Sequence, residues 1–156
     1  MPNRLIAIDI DDRGLAKPTP EMDQERKVAI FDLLEENCFT LPRAAEFPGP
    51  YRLLLALREG RLVFAVASQA GDKVAEFHLS LGPFRQVVKD YTQICESYFE
   101  EVRILPPARI EAIDMARRGI HNEGARVLQE RLEGKAVVDA ATARRLFTLI
   151  CVVQWG

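Results

Sequence analysis

The strongest constraint in this sequence is a change of hydrophobic period at Pro83. Before it, short apolar runs alternate with a period of two. After it, Phe84, Val87, Val88, Tyr91, Ile94, Cys95, Tyr98 and Val102 recur at helical spacing, with Arg85, Gln86, Lys89, Gln93, Glu96 and Glu100 opposite. A period of two places alternate side chains on one face of a strand, and a period of 3.6 makes one stripe along a helix. Strands followed by a run of helices predict an α+β fold, not a doubly wound sheet. The chain has 156 residues, 48% of them hydrophobic. That is enough for one domain spanning residues 1–156, in which about 70% of the unfolded surface is buried.

The elements follow from local signals. Arg4 to Ile10 reads as a first strand, and Asp11 to Pro18 as a polar turn. Thr19 is placed to cap a helix that has Pro20 in its first turn, runs to about Glu36 and buries Met22, Ala29, Ile30 and Leu33. Pro42, Pro48, Gly49 and Pro50 mark a loop over 38–50, with a short extended piece at Cys38 to Leu41. Tyr51 to Leu57 and Leu62 to Ala67 are strands joined by a hairpin at Glu59-Gly60. Both are apolar on both faces, which predicts cover on two sides. Val74 to Leu79 alternates, with Glu76, His78 and Ser80 outward. The helix from Pro83 ends before Pro106-Pro107, where another helix starts at Ala108 and reaches Arg118 or Glu133. Asp139 caps a last helix from Ala140 to about Gln154. The expected architecture is an antiparallel sheet of about four strands, an N-terminal helix and a C-terminal cluster of three to four helices.

Several classes of function are disfavoured. With 21 basic and 23 acidic residues the formal net charge is −2, which is not the footprint of a dedicated nucleic-acid binder. Arg117, Arg118, Arg126, Arg131, Lys135, Arg144 and Arg145 make the last third locally basic, but no aromatic residues interleave with them. Cys38, Cys95 and Cys151 are odd in number and far apart, which predicts reduced thiols in a cytoplasmic protein, each a small apolar filler. The start of the chain is too short and acidic for a signal peptide. The longest apolar run near the end, Leu146 to Val153, falls far short of the roughly 20 residues a membrane crossing needs. No cofactor fingerprint or metal-binding spacing appears.

Three clusters could carry chemistry. Asp9, Asp11 and Asp12 end the first strand and could hold Mg²⁺; a solvated turn is the simpler expectation. Glu76, His78 and Ser80 project from one strand face about 7 Å apart, too far for direct hydrogen bonds along the strand. The segment Arg117-Arg118-Gly119-Ile120-His121-Asn122-Glu123-Gly124 is the most unusual. On a continuous helix His121 and Glu123 lie about 160° apart and cannot share a metal. Arg117, Gly124 and Arg131 fall within the apolar stripe of Ile113, Ala116, Ile120, Val127 and Leu128, with His121 on its edge. A basic group there needs an anionic partner or the rim of a cleft. In a second geometry the helix breaks at Gly119 and Asn122 caps a new one, offering free amides to an anion. Internal pairing of Arg117 and Arg131 with Glu111, Asp114 or Glu130, with His121 as a hydrogen-bonded helix connector, is the competing structural explanation.

Leu81-Gly82-Pro83-Phe84-Arg85, Val88-Lys89-Asp90-Tyr91, Arg109 to Met115, Arg117 to Gly124 and Ala143 to Cys151 together resemble the uncharacterised bacterial family UPF0262. The resemblance runs over nearly the whole chain and is weakest at Leu41 to Pro50 and Ser68 to Lys73. It implies a small bacterial cytoplasmic protein and carries no activity, substrate or cofactor.

Two functional readings stand. The first is a non-enzymatic interaction or regulatory module whose protein partner meets the Arg117–Glu123 region. The second is an enzyme or sensor for a small phosphorylated or carboxylated ligand. There Arg117, Arg118, His121, Asn122 and Glu123 would form the site, the two arginines would clamp the anion, and His121 would serve as acid or base. No cofactor and no metal are expected in either.

Overall fold

The computed structural model describes residues 3–15 and 17–154. Four strands form one sheet: β1 (Leu5–Ile10), β3 (Tyr51–Arg58), β4 (Arg61–Ser68) and β5 (Lys73–Ser80), in the order β1-β3-β4-β5. Strands β3, β4 and β5 make the expected antiparallel meander. Glu59 and Gly60 turn β3 into β4 with φ of 52° and 73°. Two consecutive positive φ values are what a two-residue hairpin matched to strand twist requires.

Strand β1 departs from the expected antiparallel arrangement. It runs parallel to β3, with Ile8 beside Leu53 and Ile10 beside Leu55, so the sheet is mixed. The reason lies in the connection. Helix α1 (Pro20–Glu35) and the segment behind it return the chain to the end of the sheet where β1 began, and a parallel neighbour needs such a crossover.

Helix α1 starts where the cap predicts: Thr19 Oγ1 accepts a hydrogen bond from Met22 N at 3.2 Å. Met22, Ala29 and Leu33 are buried. A short 3-10 turn at Gly82–Phe84 precedes α2 (Arg85–Glu101), whose Val87, Val88, Tyr91 and Cys95 are buried. Helix α3 (Pro107–Arg131) is continuous over 25 residues. The alternative with a break at Gly119 is therefore not adopted, and Asn122 caps nothing. Asp139 Oδ1 accepts from Thr142 N at 2.9 Å at the start of α4 (Ala140–Val153). Two short strands, β2 (Phe39–Thr40) and β6 (Val137–Val138), pair antiparallel and tie the end of α1 to the start of α4.

Helix α4 is the centre of the molecule. Every residue from Leu146 to Val153 is buried, and the helix packs against α1, α3 and β3. The inner sheet face contributes Leu53, Leu55, Leu62, Phe64, Val66 and Leu79 to this core. The helices cover that face alone. The opposite face holds a depression of about 520 Å³ whose lining, Ala7, Asp9, Arg52, Leu54 and Ala65 among it, is strand and turn. Two-sided cover, expected from the apolar residues on both strand faces, is thus provided only in part. Ala56 and Val63 are buried but lie outside the main core. No described helix is long and apolar enough to cross a membrane.

Candidate functional site

Arg117 leaves α3 toward α1. Its Nη2 donates to Asp114 Oδ1 at 2.8 Å, its Nη1 lies 3.5 Å from Glu25 Oε1, and the guanidinium sits 4.8 Å over the ring of Tyr98. Its Nε is buried with no hydrogen-bond partner. Burial raises the pKa of the Glu25 carboxyl, against the pull of Arg117. The hydrogen bond from Arg117 lowers that of Asp114. Arg118 shares the same carboxylate, with Nη2 at 3.0 Å from Asp114 Oδ2, and is otherwise exposed. The basic residue on the apolar stripe has therefore found internal partners and also stands at a rim.

His121 turns the other way, into the helical layer. Its ring stacks on Tyr91, with centroids 5.0 Å apart and planes 23° from parallel, and meets Phe147 at 5.8 Å. Its Nε2 is 2.8 Å from Thr148 Oγ1. The Thr148 hydroxyl donates to the carbonyl of Arg144 at 3.4 Å, so its oxygen is left to accept from the ring. Burial pushes the His121 pKa down to about 4, so the ring is neutral near pH 7. Asn122 is exposed, and Glu123 accepts from Arg126 Nε at 3.0 Å on the outer face of α3. Of the five candidate residues, only Arg117 and Arg118 are brought together, by Asp114. His121, Asn122 and Glu123 face elsewhere.

Arg117 lies at the edge of a groove between α1 and the end of α2. One part, about 570 Å³, is lined by Pro20, Glu21, Gln24, Glu25, Val28, Phe99 and Arg117. A smaller part of about 290 Å³ shares Glu21 and Phe99 and adds Met22, Cys95, Glu96 and Glu100. Glu21 and Glu25 share the larger part with the already paired Arg117, while Glu96 and Glu100 line the smaller part, whose lining does not include Arg117. Apolar side chains extend both walls. Val28 is 44% exposed, and Phe31, one turn further along α1, is 63% exposed. Val102, one turn beyond Phe99, is 39% exposed. Residues three and four apart share a helix face, so Phe31 continues the line of Val28 along α1 and Val102 that of Phe99 at the end of α2. The reading of α1 from its inward residues alone passed over this face. The signal was present: Val28, Phe31 and Leu34 are apolar residues left over once Met22, Ala29 and Leu33 are turned inward.

The other clusters resolve as structure. Asp9 and Asp12 meet Arg26 at 3.2 and 3.6 Å, and Asp11 meets Arg13 at 2.8 Å. Glu76 and His78 do touch, with Oε2 and Nε2 3.1 Å apart. The two side chains lean together and close the gap that the strand repeat alone leaves. Ser80 instead accepts from Gly82 N. Cys95 and Cys151 are buried thiols whose pKa burial raises. Cys38, expected as an apolar filler, is exposed. Among the described residues no group of three or more His, Cys, Asp or Glu side chains is placed to hold a metal ion.

The comparisons with known proteins agree over the whole chain. The model of the uncharacterised protein family UPF0262 matches residues 2–156. A UPF0262 protein of Cereibacter sphaeroides (strain ATCC 17025) is 71% identical, over 99% of each chain. One from Paracoccus denitrificans is 71% identical, over 99% of this chain and 97% of its own. One from Ruegeria sp. (strain TM1040) is 69% identical, over 99% of each. No solved structure matches the chain significantly. With the family model covering nearly every residue and bacterial relatives covered end to end, the chain belongs to the uncharacterised family UPF0262.

Proposed function

We propose that this protein is a partner-binding module, and that the groove between α1 and the end of α2 takes a basic, amphipathic segment of another protein. The observation that carries this reading is the pairing of exposed apolar ridges with a carboxylate rim. Val28 and Phe99 line the groove, and Phe31 and Val102, one turn further along their helices, add exposed apolar surface at helical spacing. Glu21, Glu25, Glu96 and Glu100 line the same groove. A segment that lays its apolar face into such a groove is recognised through i, i+3, i+4 and i+7 anchors. Lysines on its flanks would complement the rim and speed association.

A small anionic ligand is the second reading, favoured by one observation. The buried Nε of Arg117 has no partner and would welcome an acceptor. Against it stand Glu21 and Glu25 in the same cavity, whose carboxylates repel an anion, and the engagement of both Arg117 and Arg118 by Asp114.

Amide chemical shifts separate the two. An amphipathic helical peptide of leucine and lysine should perturb Gln24, Val28, Phe99 and Val102 and leave β4 unchanged, and the effect should shrink with added salt. Inorganic phosphate should leave Arg117 unmoved. Shifts at Arg117 with phosphate and none with the peptide would reverse the choice.

A further inference from the structure

The two edges of the sheet are finished differently. At β1, side chains occupy the backbone: Asn37 Oδ1 accepts from Leu5 N at 2.7 Å, Asn37 Nδ2 donates to Leu5 O at 2.9 Å, and Asp9 Oδ1 accepts from Ile10 N at 2.8 Å. At β5 nothing comparable is found. Among the described residues, no side chain hydrogen-bonds the backbone of 74–79, and no strand lies beyond it. The register shift on this side falls between Val66 and Ala67, at the start of β5. Ala75 to Ser80 is left as a regular edge. An edge of this kind presents a row of unpaired N–H and C=O groups to another strand.

We infer that β5 pairs with β5 of a second copy, antiparallel about a two-fold axis through Phe77, to join two four-stranded sheets into one of eight. The centre follows from chemistry. Outward peptide groups recur at every second residue, so an antiparallel self-pairing must be centred on a residue. Centring on Glu76 sets two carboxylates face to face, and centring on His78 sets two imidazoles together. Centring on Phe77 sets Glu76 opposite His78 of the second copy, twice. Glu76 and His78 already attract each other within one strand at 3.1 Å, so the cross-strand pairs use side chains of proven reach. On the helix-covered face the same register sets Phe77 against its copy and small Ala75 against Leu79. Ala75 and Phe77 are only half buried and have apolar surface left to cover. Phe77 stacks on Phe64 at 5.0 Å, which holds its ring ready. The inference does not depend on the groove, which lies among the helices.

Sedimentation equilibrium on the full chain tests this. The unaltered protein should be a dimer, and Glu76→Lys, which sets cations against His78 of the second copy, should weaken it about tenfold. The double exchange Glu76→Lys with His78→Glu should restore it. Register is read by disulfide formation in a Cys38→Ser background. Chains carrying Glu76→Cys and chains carrying His78→Cys should cross-link when mixed, and each should cross-link poorly alone, because a disulfide needs Cα atoms within about 7 Å. A monomer at all concentrations, a dimer indifferent to Glu76→Lys, or equal cross-linking of the separate variants would overturn the proposal.

Discussion

The ring of Phe147 lies against the backbone of Gly124, so closely that a Cβ at residue 124 would stand 2.4 Å from its Cζ. This contact sets the distance between α3 and α4 and fixes the layer in which Tyr91, His121 and Thr148 meet. Five residues away in the same helix, a Cβ at Gly119 would meet nothing within 4 Å. The two glycines should therefore respond oppositely to alanine. Gly124→Ala should destabilise by about 1–3 kcal/mol through overpacking. Gly119→Ala should stabilise by roughly 0.5–1 kcal/mol, the helical preference of alanine over glycine. Urea midpoints of the two variants decide it, and a stabilised Gly124→Ala would disprove the close packing.

His121 should make stability fall on mild acidification. Its folded pKa of about 4 lies below its ordinary 6.5, so between those values the unfolded chain binds the proton more readily. The stabilisation is complete above pH 6.5 and is lost as pH falls toward 4. It amounts to at most about 3 kcal/mol. Glu25, whose pKa is raised by burial, acts with the opposite sign and offsets part of the loss. Denaturation midpoints measured across this window should slope downward in the unaltered protein and flatten in His121→Gln. Equal slopes would remove His121 as the cause.

Thr148→Val keeps the shape of the side chain and removes the hydroxyl that meets His121 Nε2. Leaving that buried ring nitrogen unpaired should cost about 1–3 kcal/mol. Two-dimensional imidazole NMR should show the ring resonances shifted in this variant, and an unchanged spectrum would contradict the contact.

Arg117 and Glu25 should prove coupled. Their facing atoms are 3.5 Å apart and both side chains are about three-quarters buried. Arg117→Met leaves Glu25 without its cation, and Glu25→Gln removes the need for it. A double-mutant cycle should give a coupling of roughly 0.5–2 kcal/mol, reduced from a fully buried pair by the remaining exposure. Strict additivity would show that the ion pair contributes nothing.

Local signals in the sequence were sufficient for much of this fold. Thr19 and Asp139 cap their helices, Glu59-Gly60 turns a hairpin, and the stripe through Tyr91 and Cys95 faces the core. Each depends on residues a few positions apart. What was not legible depends on distant partners. The direction of β1 is set by where the chain re-enters the sheet at Tyr51. The imidazole of His121 is oriented by Thr148, 27 residues away, and Arg117 by Glu25, 92 residues away. The segment from Arg117 to Glu123 is unusual in composition, and composition carries no information on where each side chain points. It could not show that the side chains diverge around α3. The apolar ridge of Val28 and Phe31 was hidden for the opposite reason: in a list of apolar residues, an exposed side chain looks like a buried one.

The central claim is that apolar ridges and a carboxylate rim select a basic amphipathic segment. Its most direct test is the ratio of affinities for two amphipathic helical peptides, one of leucine and lysine and one of leucine and glutamate, measured by calorimetry. The unaltered protein should prefer the lysine peptide by about tenfold or more, and Glu21→Lys with Glu96→Lys should invert that preference while the fold is retained. Equal affinities for the two peptides, or a preference that survives the charge reversal, would contradict it.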